Sequence, residues 1–277
     1  MGDDNFHLFT SIRHDPALLE LSAEHLADMG WHGQPSAFYM LDFHRDRMLR
    51  AAMHWGWSAA VETLDGPQGL ERMQHFLQGI TRQAGNGPHR VKITLARDGA
   101  LGHEIGPTPP TPLNNLFPAA LPEPACEHLD PAKASKTPAR DFAFDVLIDN
   151  QGTPRSEFTH FKTTRRRMYD EARSRARLGL ADKKEVLLVN SDDGTVMEGS
   201  ISTPYFWRDG RWVTPPVPGV FNVTQGSGGN DGTTRRWALE RNLAAEQVVP
   251  VASLVDGEEC WISNGVRGFI SARVKLH

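Results

Sequence analysis

Apolar residues recur with helix and strand periods through the first hundred residues, and they predict an α/β unit. The clearest element is an amphipathic helix in which Leu41, Met48 and Ala52 share one face. Arg47 projects from another side of that helix, either as a surface arginine with a buried stem or as a ligand-binding cation. The predicted elements are a strand at 6–12, a short helix at 18–29, the amphipathic helix at 38–55, a helix at 70–80 and a strand at 91–95.

The region from Gly102 to Arg140 loses apolar periodicity and holds nine of the 19 prolines. We therefore predict a small α/β domain at 1–102, a proline-rich linker at 103–140 and a larger, strand-rich domain at 141–277. A linker of this length is expected to wrap a surface or to border the active site. The larger domain has predicted strands at 142–148, 186–189, 205–207, 211–213 and 260–262 and predicted helices after Lys162 and at 235–243.

Charge and composition exclude several classes of protein. The 277 residues include 30 Lys and Arg against 34 Asp and Glu, so nothing indicates a general affinity for nucleic acid or for anionic membranes. Cys126 and Cys260 are too few for a disulfide framework or a thiolate zinc site, and no metal is expected. Asp3 and Asp4 lie where a signal peptide would be basic, and no apolar run could span a bilayer. We expect a cytoplasmic protein.

Lys162 is the candidate nucleophile. Phe158 and Phe161 give its stem an apolar environment, Thr163 and Thr164 can cap a helix, and the following arginines at 165–167 disfavour a further positive charge. A lysine kept partly neutral in this way can form a Schiff base and later shuttle protons. The alternative is an ordinary solvated first turn of a helix.

Two further segments carry candidate site residues in the larger domain. Glu198 stands in a strand context before Gly199 and Ser200, either as a solvated edge glutamate or as the partner of a protonated pyridine nitrogen. A glycine-rich run from residue 226 leads through Gly232, Thr233 and Thr234 into a helix. Such a helix start suits an anion, although the run fits neither common nucleotide-binding pattern and could be a flexible surface loop.

A third segment follows the strand at 260–262 and places small residues beside one cation. Asn264 and Gly265 begin this turn, and Arg267 ends it. Arg267 can form a surface ion pair or bind a substrate carboxylate by donating two hydrogen bonds to it.

The order of four segments resembles that of the fold-type IV pyridoxal phosphate enzymes, the class IV aminotransferase family. The segments are 161–163 (Phe-Lys-Thr), 198–202 (Glu-Gly-Ser-Ile-Ser), 232–235 (Gly-Thr-Thr-Arg) and 263–268 (Ser-Asn-Gly-Val-Arg-Gly). The family's His-x-x-Arg-Leu pattern is matched by the run from His44 to Met48, so the resemblance covers nearly the whole chain. It implies a two-domain fold, α/β (α+β), with a pseudo-barrel in the larger domain, a homodimer and an active site between the domains.

The resemblance also implies roles for individual residues. Lys162 would hold pyridoxal 5'-phosphate as a Schiff base, Glu198 would face the pyridine nitrogen, and Arg47 would bind the phosphate. Further cofactor contacts are implied for Ser200, Gly232, Thr233, Thr234, Asn264 and Gly265.

Within the family, the Asn-Gly-Val-Arg-Gly run and the absence of a tyrosine five residues after Lys162 look most like the lyases that act on 4-amino-4-deoxychorismate. The alternative is an aminotransferase for branched-chain or D-amino acids, in which that tyrosine is usual. A substrate with two carboxylates requires two cations, and we take Arg267 first, with Arg97, Arg13 and Arg166 as candidates for the second. A rival interpretation treats the basic helix after Lys162 as a nucleic-acid patch, but it leaves Glu198 unexplained.

Overall fold

The computed structural model describes residues 6–29, 35–124, 142–179 and 181–276. The described part of the chain forms two sheets with helices packed around them. The small sheet has three antiparallel strands in the order β1-β2-β3: β1 (Leu8–His14), β2 (His89–Leu95) and β3 (Leu101–Pro107).

Three helices of the described residues cover the small sheet: α2 (Leu41–His54), α3 (Ser58–Leu64) and α4 (Gly66–Thr81). A further helix, α1 (Ala23–Asp28), instead buries Leu26 in a second core cluster that includes Phe117 and Trp237. Met48 and Ala52 of α2 are buried against the sheet, as their helical spacing predicts. The helix predicted at 18–29 is two elements, a 3₁₀ turn (Pro16–Glu20) and α1, because the Ser22 hydroxyl caps a new helix start by accepting from the His25 N–H at 3.1 Å.

The larger sheet contains eight strands, in the spatial order β6-β5-β4-β11-β10-β7-β8-β9, and curls into half of a barrel. The strands are β4 (Phe144–Thr153), β5 (Lys184–Asn190), β6 (Val196–Gly199), β7 (Thr203–Arg208), β8 (Arg211–Thr214), β9 (Ala245–Glu246), β10 (Glu259–Asn264) and β11 (Gly268–Lys275). Asp209 and Gly210 both have positive φ angles, 51° and 77°, so this Asp-Gly pair forms a tight turn between β7 and β8.

The remaining helices of the described residues are short. They are α5 (Leu113–Leu116), α6 (Glu157–His160), α7 (Arg167–Arg175) and α8 (Thr233–Glu240), with a 3₁₀ turn at Val251–Ser253. Thr163 and Thr164 do not cap α7, which begins after Arg166 with no side-chain cap. Instead, the Thr164 hydroxyl accepts from the His7 N–H at 2.9 Å and fastens the lysine segment to the small domain.

The predicted boundary at residue 102 is too early, because β3 continues the small sheet to Pro107. Its mostly exposed residues give no apolar alternation, so the sequence conceals this strand. The following segment packs on the larger domain: Leu116, Phe117 and Leu121 are buried, and the Leu121 carbonyl accepts from the Trp212 indole at 3.0 Å. The rest of the predicted linker, with Cys126, lies outside the described residues.

Strand β1 joins the two halves of the described structure. The Phe9 N–H donates to the Lys162 carbonyl and the Arg13 N–H to the Gly265 carbonyl, each at 3.0 Å. Two segments of the larger domain are therefore held against one strand of the small domain. Within the described ranges, no helix is both long and apolar enough to cross a membrane.

Candidate active site

A cavity of about 420 Å³ lies where residues of both domains meet. It collects all of the predicted cofactor-binding residues and two of the predicted substrate-binding arginines. These residues are Arg47, Lys162, Arg166, Glu198, Ser200, Gly232, Thr233, Thr234, Asn264, Gly265 and Arg267. Segments far apart in the sequence therefore meet in one site.

Lys162 follows α6 and lies against an aromatic wall. Its Nζ lies 5.0 Å from the centre of the Phe9 ring, and Phe158 and Phe161 also line the cavity. Burial, followed by the charges of Arg166 and Arg47, lowers the pKa of Lys162 well below its usual range, while Glu198 opposes the shift. The amine is therefore available in the neutral form that attacks a carbonyl.

Glu198 lies on β6 and faces the same cavity. The Tyr169 hydroxyl donates to Glu198 Oε1, and the backbone N–H of Asn230 donates to the same carboxylate. Burial raises the pKa of Glu198 to about 7, against these two hydrogen bonds and the Lys162 charge. A carboxylate held in this way can pair with a cationic ring nitrogen.

A second buried glutamate organises the turn after Glu198. Glu185 on β5 accepts from the Ser200 N–H at 3.0 Å, from the Ser200 hydroxyl at 2.5 Å and from the Ser202 hydroxyl at 2.6 Å. The Ile201 N–H adds a fourth bond at 3.2 Å. Because Glu185 is only 1% exposed, this carboxylate fixes the backbone of the turn that forms one cavity wall.

The glycine-rich run has two functions in the structure. A Cβ atom at Gly229 would lie 2.6 Å from the Met197 carbonyl oxygen and 3.1 Å from Glu198 Cβ, so this glycine lets the loop pass directly behind the carboxylate. At the end of the run, Gly232 precedes α8, whose first-turn N–H groups have no intrahelical acceptor. That helix start opens into the cavity and suits an anion.

Arg47 lies close to this helix start and is held by a buried relay. Its guanidinium donates to the Thr10 hydroxyl, and Thr10 Oγ1 lies 2.6 Å from His44 Nδ1. Burial lowers the pKa of Arg47 to about 10, so the guanidinium stays charged at neutral pH. Burial and the Arg47 charge lower the pKa of His44 well below its usual range, so the ring is neutral.

The residues present fit pyridoxal phosphate. Among the described residues, Arg47 Nε and His44 Nε2 are buried without a hydrogen-bond partner near the helix start. A Cβ at Gly265 would lie 2.5 Å from the His44 ring and 3.0 Å from Thr233 Oγ1, so only glycine leaves this space open. Arg47, Thr233 and the first turn of α8 would hold the phosphate, with Lys162 and Glu198 at the ring.

The predicted substrate arginines separate into two groups. Arg166 and Arg267 line the cavity, whereas Arg13 and Arg97 do not. Arg13 is fully buried and bonds to Asp15 at 2.7 Å and to the Val266 carbonyl at 3.3 Å, so it braces the turn at 263–268. Arg97 is exposed in the turn between β2 and β3. The prediction that Arg13 or Arg97 supplies a cation to the cavity therefore does not hold for the cavity of this chain.

Sequence reasoning missed several residues that the fold brings to the cavity. Arg90 and Lys92 reach it from alternate positions of β2, and Tyr169 reaches it from α7. The predicted alternation at 91–95 already places Lys92 on the polar face of the strand. The sequence does not show that this face meets the larger domain, because that follows from the pairing of β2 with β1, the strand that contacts the larger domain. Tyr169 lies two positions beyond Arg167, which occupies the place of the tyrosine usual in the aminotransferases.

The basic run after Lys162 does not form a single charged surface. Arg165 lies over the Phe158 ring, Arg166 turns into the cavity, and Arg167 pairs with Glu171 at 2.6 Å. Arg173 is buried and donates to the Ser200 hydroxyl at 2.9 Å. These cations diverge, so the geometry offers no support for a nucleic-acid patch on α7.

Residues 29–274 match the family model of the class IV aminotransferases, and the chain belongs to that family. Members of this family depend on pyridoxal phosphate, which is therefore the cofactor of this chain. The predicted family, fold class and cofactor are confirmed.

The proteins that this chain is similar to carry different names. Aminodeoxychorismate lyase of Saccharomyces cerevisiae is 30% identical over 148 residues, which are 48% of this chain and 37% of the yeast protein, so the match spans well under half of that relative. The crystal structure of a proposed amino-acid aminotransferase from Mesorhizobium loti has a TM-score of 0.65 at 21% identity and covers 98% of this chain and 100% of its own.

Two more solved structures are similar to this chain, and again one is named a lyase and the other an aminotransferase. A proposed 4-amino-4-deoxychorismate lyase has a TM-score of 0.60 at 19% identity, covering 96% of this chain and 84% of its own. A hypothetical aminotransferase from Mycobacterium tuberculosis, with α-ketoglutarate and PMP bound, has a TM-score of 0.58 at 15% identity, covering 98% and 81%. These likenesses establish the fold, and they include both lyase and aminotransferase names.

Replacing Arg47 with alanine is expected to weaken pyridoxal phosphate binding by about tenfold to a hundredfold, the effect of losing a charge-assisted hydrogen bond. Titration of the apoprotein with cofactor, followed by absorbance, measures the change. Arg50→Ala on the same helix is the control, since Arg50 is part-exposed and pairs with Asp231 at 2.6 Å. Equal affinities in the two variants would contradict a phosphate role for Arg47.

Proposed function

We propose that the chain is a lyase that converts 4-amino-4-deoxychorismate to 4-aminobenzoate and pyruvate and so supplies a folate precursor. The observation that carries this proposal is the number of cations in the cavity beyond the phosphate site. Arg166, Arg267 and Arg90 all line it, in addition to Arg47. The proposed substrate carries two carboxylates, whereas a simple apolar amino acid carries one.

Arg166 and Arg267 offer two distinct places for a carboxylate. The Arg166 guanidinium lies 5.6 Å from the centre of the Phe9 ring, which Lys162 Nζ approaches to 5.0 Å, so Arg166 lies at the lysine end of the cavity. Arg267 instead has Arg173 and Arg90 as its neighbouring cations, and burial lowers its pKa. Among the described residues, Arg267 has no ion-pair partner and lies 5.5 Å from the Phe144 ring, so its donors are available to an anion.

The residues have separable tasks in this reaction. The cofactor, when bound, supplies an electron sink for the amino-bearing carbon. Lys162, whose pKa is lowered by burial, would act as a neutral amine and remove the proton from that ring carbon. The neighbouring C–O bond breaks, and the leaving enolpyruvate takes up a proton to become pyruvate. The ring becomes aromatic, which makes release of 4-aminobenzoate strongly downhill.

The second candidate is an aminotransferase, and the names of the Mesorhizobium and Mycobacterium structures favour it. Lys162 and Glu198 would serve either reaction. The two functions differ in stoichiometry, because an aminotransferase requires an amino acceptor in every cycle. The lyase reaction would need no amino acceptor.

Incubation of the cofactor-loaded protein with aminodeoxychorismate and no added keto acid tests the proposal. We expect pyruvate and 4-aminobenzoate in equal amounts, measured by coupled lactate dehydrogenase and by chromatography. Conversion of the cofactor to its amine form by branched-chain or D-amino acids at catalytic rates, with no pyruvate from aminodeoxychorismate, would instead assign the aminotransferase.

Arg267→Ala is expected to lower kcat/KM for aminodeoxychorismate by about a hundredfold while the cofactor stays bound, because a charge-assisted carboxylate contact is lost. Steady-state kinetics with the cofactor spectrum as a check measure this. Arg273→Ala is the control, since Arg273 lies on the same β10–β11 hairpin but pairs with Asp145 at the surface. Similar kinetics in the two variants would remove Arg267 from substrate recognition.

We further propose that the active form is a homodimer, which the family resemblance supports, and that it is cytoplasmic, which the low cysteine content supports. Size-exclusion chromatography with light scattering tests the assembly. A stable monomer with full activity would contradict it.

A further inference from the structure

Tyr169 is a buried tyrosine that takes no part in the reaction steps described above. It lies on α7, is 5% exposed and lines the cavity, with its hydroxyl donating to Glu198 Oε1. The Thr159 carbonyl, at 3.2 Å, is a second acceptor for the same hydroxyl. A hydroxyl has one hydrogen, and an ionised carboxylate is the stronger acceptor.

We propose that Tyr169 is a positioning residue that keeps Glu198 ionised, so that the proton shared between this carboxylate and the pyridine nitrogen of the cofactor stays on the nitrogen. The proposal depends on the cofactor and not on whether the chain is a lyase or an aminotransferase. Its basis is the hydrogen bond itself, which stabilises the carboxylate and disfavours the carboxylic acid.

Among the groups around Glu198, the Tyr169 hydroxyl is the main hydrogen-bond donor that stabilises the ionised carboxylate. Two hydrogen-bond donors face the carboxylate, the Tyr169 hydroxyl and the Asn230 N–H, and of these the Tyr169 bond acts more strongly. Burial and the Glu198 charge raise the pKa of Tyr169 well above its usual range, so it remains a donor. Among the residues that the structure describes, the charged groups that face Glu198 are Lys162, Arg166 and Arg47.

Arg166 also holds the tyrosine in place. Its guanidinium lies 4.5 Å from the centre of the Tyr169 ring, and it donates to the Ser200 carbonyl at 2.8 Å. The ring is therefore packed between α7 and the turn that follows Glu198. This packing explains how a hydroxyl from a helix is kept against a carboxylate on a strand.

The test compares Tyr169→Phe with the wild type in the cofactor-loaded protein, using pyridoxal phosphate labelled with ¹⁵N in the ring. The ¹⁵N chemical shift reports whether the ring nitrogen carries a proton. We expect it to move toward the unprotonated value in Tyr169→Phe, because the shared proton passes to Glu198. An unchanged shift overturns the proposal.

A second readout is the pH dependence of cofactor uptake by the apoprotein. Glu198, whose pKa is about 7, is ionised above that pH, so uptake falls as the pH drops through it. Without the tyrosine hydroxyl, the midpoint of this fall is expected about one pH unit higher, equal to a tenfold rise in proton affinity. A midpoint that stays in place overturns the proposal.

Two controls separate this effect from loss of packing. Tyr39→Phe also removes a buried hydroxyl, one that donates to the Leu116 carbonyl outside the cavity, and it should leave the ¹⁵N shift unchanged. In a Glu198→Gln background, Tyr169→Phe should have no further effect on the shift. A change of equal size in either control overturns the proposal.

A further measurement keeps the tyrosine hydroxyl in place and can be made even if the Tyr169→Phe variant does not fold. Incorporation of 3-fluorotyrosine makes the phenol a stronger donor, and it should move the midpoint of cofactor uptake to lower pH. A midpoint that is unchanged or higher counts against the proposed role.

Discussion

Lys162→Ala is expected to abolish covalent retention of pyridoxal phosphate and to lower kcat by about 10⁴-fold or more, since one residue supplies both the nucleophile and the base. The wild-type protein should show the visible absorption of lysine-bound cofactor, and the variant should lack it after gel filtration. Borohydride reduction followed by peptide mass spectrometry should place the cofactor on Lys162 in the wild type.

Lys92→Ala is a closely matched control for this prediction. Lys92 Nζ lies 5.4 Å from the centre of the same Phe9 ring that Lys162 approaches to 5.0 Å, and both residues line the cavity. Lys92, however, pairs with Glu104 at 2.7 Å. Lys92→Ala should keep the cofactor band, and cofactor bound covalently by Lys162→Ala would show that another amine is the nucleophile.

The family resemblance predicted which residues of the larger domain meet, and each of them could be located because it marks the end or start of a local element. Gly232 precedes a helix, and Asn264 and Gly265 end a strand, so turn chemistry and apolar periodicity locate them. The order of these segments along the chain then indicated the family. The predicted elements lie within a few residues of their observed bounds, whereas α3, β3 and β11 were not predicted.

The residues that the sequence could not place depend on contacts between the two sheets. Arg97 follows a strand as Arg267 does, but the β2–β3 turn carries it away from the cavity of its own chain. Arg90 was missed for the converse reason, since nothing local shows that one face of β2 meets the larger domain. Arg13 was placed correctly at a strand end, yet Asp15 and the turn at 263–268 engage its guanidinium.

Loss of the negative charge of Glu198 is also expected to have a large effect on catalysis, because no other group can easily replace this charge. The carboxylate is held by two donors and lies near Lys162, Arg166 and Arg47 in a buried setting. A glutamine at this position keeps the size of the side chain but cannot accept a proton or neutralise a pyridinium. The ring nitrogen would then lose its anionic partner, and the cofactor would be a weaker electron sink.

Glu198→Gln is therefore expected to lower kcat by about 10²- to 10³-fold, a loss typical of removing one preorganised electrostatic contact. Covalent attachment to Lys162 should persist, so the visible band remains while turnover falls. The wild-type apoprotein should take up cofactor poorly below pH about 7, where Glu198 is protonated, and the variant should lack this acid limb. Stopped-flow absorbance from pH 5 to 9 measures both. An acid limb that survives in Glu198→Gln would assign that titration to another group and leave Glu198 without the proposed role at the ring nitrogen.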